Sequence, residues 1–201
     1  MDARQQTINA PVKETCSWLL SHSTYKSWPR RQNMNLDRGL LWAKGKPGSG
    51  KSTLMKAAFH SAQHKKNLAT TGVACSFFNV RGGELERSQL GRFSSLLYQL
   101  LSQDRECLQQ FMVLYQTKDK DQSKRVQWNE GELNSFLYSI CTKRRNRQTF
   151  TFIDAIDESA SENLSLLVYN SLFGKVEAFS CIRFSARAHT GLLFQFLSSN
   201  K

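Results

Sequence analysis

Short apolar runs alternate with amphipathic stretches along the chain, and this alternation predicts a parallel sheet flanked by helices. The apolar runs predict four strands, at 40–43, 72–79, 149–153 and 181–185. In the stretches between them, apolar residues recur at intervals of three and four, which favours helices. These helices are predicted over 11–21 and 51–63, and around 90–101, 129–140 and 164–168. The predicted fold class is α/β.

Polar residues mark the ends of two of these helices. Ser88 precedes the helix that carries Leu90, and a serine hydroxyl is a favourable N-cap. Asn129, followed by Glu132, resembles a capping box, although that motif usually opens with Ser or Thr. The charged stretch 117–127 lacks periodicity, so it predicts an exposed loop.

Composition narrows the class of protein. A chain of 201 residues with 40% hydrophobic residues is long enough for one domain with a buried core. No apolar run approaches the roughly 18 residues that a membrane helix needs, and the polar N-terminus lacks the apolar segment of a secretory signal. We therefore expect a cytoplasmic protein without a membrane partner.

Charge and cysteine content add little to this picture. Lys and Arg outnumber Asp and Glu by 28 to 16, but the cations are scattered and the densest cluster, 143–147, has no interleaved aromatic residues. Solvated loops and helix ends are favoured over a polyanion site, so we expect no nucleic-acid partner. The five cysteines include no C-x-x-C pair, which favours reduced thiols over a zinc site or disulfides.

The strongest chemical signal is the segment 45–52, which fits G-x-x-x-x-G-K-[ST] at every fixed position. Such a glycine-rich loop between a strand and a helix lets successive backbone N–H groups converge on phosphate oxygens. In this motif the lysine contacts the β- and γ-phosphates and the hydroxyl contacts Mg²⁺. The candidate nucleotide-binding residues are Gly45, Lys46, Pro47, Gly48, Ser49, Gly50, Lys51, Ser52 and Thr53.

Carboxylates follow the third predicted strand, where a metal ligand is needed. Asp154 comes directly after the apolar run and is expected to hold Mg²⁺ together with Ser52. Asp157 and Glu158 lie close behind and are candidates for activating water, although such a pair also suits a helix N-terminus. Arg187 follows the fourth strand, where it is positioned to sense a γ-phosphate.

Together these segments resemble the NACHT domain of STAND P-loop NTPases, in the nephrocystin-type version of fungal NOD-like receptors and heterokaryon-incompatibility proteins. The resemblance covers almost the whole chain. It is carried by 16–19 with 25–28, by 40–45 leading into 51–56, and by 77–82, 154–158 and 185–187. Ala186 and Ala188 depart from the Ser and Pro that usually surround the arginine of the last motif.

The resemblance implies an ASCE-type P-loop sandwich of three layers with a mainly parallel sheet. It implies a lead-in helix and loop over 1–38 and a nucleotide-binding domain over 39–201. The family's fifth core strand would lie beyond the chain, so we expect the first strand to be an exposed edge and the chain to be a fragment. The effector and repeat domains of such receptors would also be missing.

The function implied is a signalling switch that binds ATP or GTP with Mg²⁺ and hydrolyses it slowly. Protein partners or self-association would involve the missing domains. Two alternatives remain open, a small-molecule P-loop kinase and a nucleic-acid-dependent ATPase. Trp28 is a candidate for stacking on a nucleotide base, but packing in the core is favoured.

Overall fold

The computed structural model describes residues 6–9, 15–30, 40–46, 48–65, 71–77, 82–119, 126–143, 148–154, 179–185 and 193–196. The helices among them are α1 Ser17–Ser21, α2 Ser23–Ser27, α3 Lys51–Lys65, α4 Glu84–Arg87, α5 Gln89–Leu101, α6 Arg105–Lys118 and α7 Glu130–Lys143. The strands are β1 Leu40–Lys44, β2 Thr71–Phe77, β3 Gln148–Asp154, β4 Phe179–Ser185 and β5 Leu193–Phe196. The predicted helix around 164–168 lies outside the described residues.

The strands form one sheet in the order β2-β3-β4-β1-β5. β2 pairs with β3, β3 with β4, and β4 with β1, all in parallel, which confirms the α/β prediction. Strand β4 lies between β1 and β3, so the carboxyl ends of these three strands meet at one border of the sheet. Ligands bind at this border in open α/β folds.

The expectation that β1 is an exposed edge was wrong. β5 pairs with β1 in the antiparallel direction, with Leu41 opposite Phe196 and Lys44 opposite Leu193. The sequence Leu-Phe-Gln-Phe at 193–196 is mostly apolar and suits a short strand, and its pairing satisfies backbone groups of β1 on the side away from β4. β1 is therefore an interior strand of the sheet.

Apolar residues cover both faces of the sheet, which gives the predicted three layers. On one face, Phe150 and Phe152 of β3 share a core cluster with Leu54, Met55 and other residues of α3. On the other face, one cluster joins Ala74 of β2 and Ile153 of β3 to residues of α5, α6 and α7. Successive side chains of a strand point to opposite faces, so the period of two in β2 and β3 produces both clusters.

The N-terminal segment packs on the α3 face. Trp28 is 2% exposed, and its ring meets those of Phe150 and Phe152 edge-on, with centroids 5.3 and 5.9 Å apart. Tyr25 is buried beside it, and its hydroxyl donates to the Ala58 carbonyl. The core interpretation of Trp28 is confirmed, because so buried a ring cannot stack on a base.

Both helix caps predicted from sequence are present. The Ser88 hydroxyl accepts from the Gly91 N–H at 3.0 Å. The Asn129 side chain accepts from the Glu132 N–H at 2.9 Å, and the Glu132 carboxylate accepts from the Asn129 N–H at 3.0 Å. This reciprocal pair is a capping box opened by Asn, whose side-chain oxygen accepts as a serine hydroxyl would.

Helix α6 was not predicted, and it changes the interpretation of the stretch 117–127. Asp104 caps α6 by accepting from two backbone N–H groups, and the helix continues to Lys118. The Lys118 ammonium donates to the Glu132 carboxylate at 2.6 Å and lies 4.6 Å from the Trp128 ring centroid. The start of the supposed loop therefore belongs to a helix that is joined to α7.

The ion pair between α6 and α7 has a defined pH dependence. The hydrogen bond from Lys118, followed by that from the Asn129 backbone, lowers the pKa of Glu132. The folded chain therefore holds a proton on this carboxyl less readily than the unfolded chain does. This stabilisation is present above the unfolded pKa and is lost as the pH falls through the folded pKa.

Gln99 of α5 and Gln103, in the turn that follows α5, cover the outer side of β2, the strand at one end of the sheet. The Gln99 side chain accepts from the Cys75 N–H and donates to the Cys75 carbonyl, at 2.9 and 2.6 Å. Gln103, four residues later, makes the same two contacts with Val73 at 3.1 and 2.7 Å. The two amides thus take the place of a neighbouring strand.

We expect Gln99→Leu combined with Gln103→Leu to lower the free energy of unfolding by about 2 kcal/mol or more. Leucine keeps the bulk that excludes water but leaves backbone groups of β2 unpaired, at a cost of about 1–3 kcal/mol each. Urea unfolding measures the loss, and gel filtration measures any self-association through the uncovered strand. The control is Gln109→Leu with Gln110→Leu, two exposed glutamines of α6. Equal losses in the two double variants would contradict the role assigned to Gln99 and Gln103.

Candidate phosphate and metal site

The predicted phosphate loop joins the end of β1 to the start of α3. Gly48 and Gly50 have φ angles of 76° and 77°, a region that residues with a Cβ rarely adopt. The Ser49 N–H donates to the Lys46 carbonyl at 3.2 Å, which closes a turn. The Gly50 carbonyl accepts the first α3 hydrogen bond, from the Leu54 N–H at 2.9 Å. The two glycines therefore turn the backbone into the helix N-terminus.

Lys51 is held by the loop that it follows. Its ammonium donates to the Gly45 carbonyl at 2.9 Å and to the Lys46 carbonyl at 2.7 Å. An ammonium has three N–H donors, and these two bonds fix its position at the border where β1 ends. Neither contact can be foreseen from residue types, because both acceptors are backbone oxygens.

Ser52 and Asp154 meet although 102 residues separate them. The Ser52 hydroxyl donates to Asp154 Oδ2 at 2.5 Å, and Asp154 is 2% exposed. Asp154 ends β3 on the face where α3 begins, so parallel pairing through β4 brings the carboxylate to the helix start. The structure thus brings together the two residues predicted as metal ligands. Thr53 is half-buried in the first turn of the same helix.

Some predicted site residues lie outside the described residues: Pro47, Asp157, Glu158 and Arg187. Arg187 comes two residues after the end of β4, and Asp157 comes three residues after the end of β3. Their assigned roles remain predictions from the sequence.

The donor set fits a hard divalent cation bound together with phosphates. Mg²⁺ takes oxygen ligands and is usually held by one or two protein groups plus water and phosphate oxygens. Ser52 Oγ and the Asp154 carboxylate offer such oxygens side by side. Among the described residues, no group of three or more His, Cys, Asp or Glu side chains could hold a metal by itself.

These features define a P-loop NTPase fold. A glycine-rich loop joins a strand to a helix that opens with Lys and Ser, and a carboxylate lies beside it on a neighbouring strand. Residues 14–186 match the family model described as Nephrocystin 3, N-terminal, and the chain belongs to this family. No curated protein matches the chain.

Solved structures align with the chain at low identity. A structure of Drosophila ORC bound to DNA aligns with a TM-score of 0.50 and 13% identity, over 86% of this chain and 40% of that one. Cdc6p from Pyrobaculum aerophilum aligns with a TM-score of 0.44 and 12% identity, over 93% and 43%. PCH-2 from C. elegans aligns with a TM-score of 0.40 and 13% identity, over 87% and 35%. The chain thus spans less than half the length of each of these proteins.

Among the described helices, none is both long and apolar enough to cross a membrane.

We expect Gly50→Ala to lower the free energy of unfolding by about 1 kcal/mol, because a Cβ disfavours a positive φ. No heavy atom lies within 4 Å of the position of the added Cβ, so the cost is one of backbone conformation and not of packing. The control is Gly83→Ala, where the Cβ is equally uncrowded but φ is −63°. Urea unfolding without added nucleotide compares the two. Similar losses would show that the loop does not need the left-handed conformation.

Proposed function

We propose that this chain binds a nucleoside triphosphate, ATP or GTP, with Mg²⁺ and uses the bound state as a signalling switch. The observation that carries the proposal is the contact between Ser52 and Asp154 beside the loop that holds Lys51. A phosphate loop alone suits many anions. A hydroxyl and a buried carboxylate at its end add the ligands for the cation that accompanies a triphosphate.

Each group in the site has a role in such binding. Backbone N–H groups of the loop and the positive end of the α3 dipole favour phosphate oxygens. The Lys51 ammonium, already fixed at the loop, supplies a positive charge for the β- and γ-phosphates. Mg²⁺, when bound, neutralises phosphate charge, and Ser52 and Asp154 would hold it directly or through water.

The proposed switch depends on a difference between the nucleotide states. A ligand shifts a conformational equilibrium only when it binds one arrangement more tightly than another. Ser52 Oγ and the Asp154 carboxylate would both lie against a cation bound with the γ-phosphate, so the contact between α3 and β3 is where the nucleotide state would act. The resemblance to NACHT domains supports a role as the switch module of a NOD-like receptor, with protein partners that respond to it.

Slow hydrolysis is the enzymatic part of the proposal. Asp157 and Glu158 follow the metal-binding Asp154 closely enough in sequence for one of them to orient or deprotonate a water. Arg187 follows β4, whose carboxyl end meets the same border of the sheet, and would contact the γ-phosphate.

Calorimetric titration with ATP and with GTP tests the binding site. We expect Lys51→Ala to weaken binding by on the order of 100-fold, since each hydrogen bond to a charged group contributes about 1.5–3 kcal/mol. Ser52→Ala should lose the part of the affinity that depends on Mg²⁺, and the parent and this variant should bind alike in EDTA. The charge-matched control is Lys65→Gln, at the other end of α3.

Two results would overturn this assignment. One is a folded Lys51→Ala variant that holds nucleotide as tightly as the parent. The other is a Ser52→Ala variant whose affinity still rises with Mg²⁺ as much as that of the parent. Circular dichroism spectra and urea midpoints verify that each variant is folded.

We expect Asp157→Asn or Glu158→Gln to slow hydrolysis by roughly 10²–10⁴-fold while nucleotide binding is retained, because a general base acts on the chemical step. Phosphate release at saturating nucleotide measures the rate, and Glu162→Gln is the matched control. Unchanged rates in both variants would remove these carboxylates from the mechanism. ATP consumption that requires an added phosphate acceptor would favour a small-molecule kinase instead.

A further inference from the structure

Charge is distributed unevenly between two parts of the chain. Residues 15–83 contain eleven Lys or Arg and a single acid, Asp37. Residues 84–143 contain eight Lys or Arg and eight Asp or Glu. The cations that look scattered along the whole sequence are therefore in large excess over acids in one segment and balanced in the next.

The two segments supply helices to opposite faces of the sheet. Helices α1, α2 and α3 come from the first segment and pack on the face of Phe150 and Phe152. Helices α4 to α7 come from the second segment, and α5 to α7 cover the face of Ile153. None of α1, α2 or α3 contains an acidic residue. Within the described part of the chain, the fold thus places helices without acidic residues on one face of the sheet and helices of mixed charge on the other.

The described basic residues on this side form what we call the basic face: Lys26, Arg30, Lys56, His60, His64 and Lys65. Lys26, Arg30 and Lys65 are exposed, as are both histidines, while Lys56 is half-buried and its ammonium donates to the Ile8 carbonyl at 2.6 Å. Burial, followed by the charges of Lys56 and His64, lowers the pKa of His60. Lys26, Arg30, Lys56 and Lys65 supply the permanent positive charge of the face.

The basic side chains of this face follow the length of α3. Lys56, His60 and His64 are four residues apart, so they follow one side of the helix. The bond from the Tyr25 hydroxyl to the Ala58 carbonyl fixes α2, with Lys26 and the nearby Arg30, alongside the middle of α3. Fifteen residues of helix extend about 22 Å, which equals about six base-pair steps of a duplex.

We propose that the basic face binds the phosphodiester backbone of a nucleic acid without base specificity. Sequence-independent binding of this kind is carried by Lys and Arg that neutralise phosphates. The proposal concerns a surface that does not include the triphosphate site and does not rest on the proposed function. It replaces the expectation of no nucleic-acid partner, which treated the cations as scattered because their positions on the fold were unknown.

A nucleic acid fits this face better than an anionic membrane does. Membrane-surface helices combine cations with a row of exposed apolar residues that enter the lipid. In the described parts of α1, α2 and α3, the one exposed large hydrophobic residue is Trp18, at 43%. A single exposed aromatic side chain is too little apolar surface for insertion into lipid.

The test is binding of the whole chain to a fluorescent 20-nucleotide single strand and to a 20-base-pair duplex, measured by anisotropy from 50 to 300 mM salt. Lys26→Gln combined with Lys65→Gln should weaken binding. It should also reduce the salt slope by about 1.8 for the duplex or 1.4 for the single strand, the values for two lost phosphate contacts. The control is Arg87→Gln with Arg105→Gln, two exposed cations of α4 and α6 whose loss lowers the net charge equally.

The outcomes separate the explanations. The proposal is supported if nucleic-acid binding falls with salt, weakens in the Lys26→Gln and Lys65→Gln double variant, and is retained in the Arg87→Gln and Arg105→Gln double variant. Equal weakening by both variants means attraction by net charge alone and overturns it, as does absence of binding at 50 mM salt. Vesicles with 30% phosphatidylserine are titrated in parallel, and binding to vesicles without binding to either nucleic acid assigns the face to a membrane.

Discussion

The hydrogen bond between Ser52 and Asp154 depends on the register of the whole parallel sheet. Asp154 reaches α3 because β3, β4 and β1 end at the same border and because Phe150, Phe152 and Asp154 point to one face. A slip of one residue in β3 would turn the carboxylate toward α5 and bring Ile153 to the helix start. The chemistry of the site is therefore specified by the apolar pattern of a strand.

The parts of the fold that sequence could predict are those governed by local rules. The period of two in β3, the cap at Ser88 and the reciprocal pair at Asn129 and Glu132 each involve residues within a few positions of one another. The phosphate loop is equally local, since its glycines and the helix that follows are contiguous. Such features need no knowledge of the tertiary structure.

What the sequence did not reveal depends on distant or backbone partners. β5 is four residues long and gains its pairing only when β1 is already in place. In α6 the outward positions include Leu108, Met112 and Val113, so the helix lacks a clean polar side and its period is obscured. The contacts of Lys51 with two carbonyls, and of Gln99 with β2, involve main-chain atoms that no residue pattern displays.

One helix connects the site to the basic face. α3 begins at the phosphate loop and carries Lys56, His60, His64 and Lys65 along its length, with no acidic residue. The positive end of its dipole lies at the loop, and Lys56 and Lys65 place further positive charge along the same helix. A field of this kind concentrates anions near the loop before any specific contact forms, and it weakens as salt is added.

Gln99 and Gln103 determine which border of the sheet can accept a further strand. On the border formed by β2, the amides of Gln99 and Gln103 already occupy the donors and acceptors of Val73 and Cys75. Among the described strands, the opposite border is β5, which has a partner on one side only. A sixth strand, whichever polypeptide supplies it, would be added beyond Leu193–Phe196 and not beside β2.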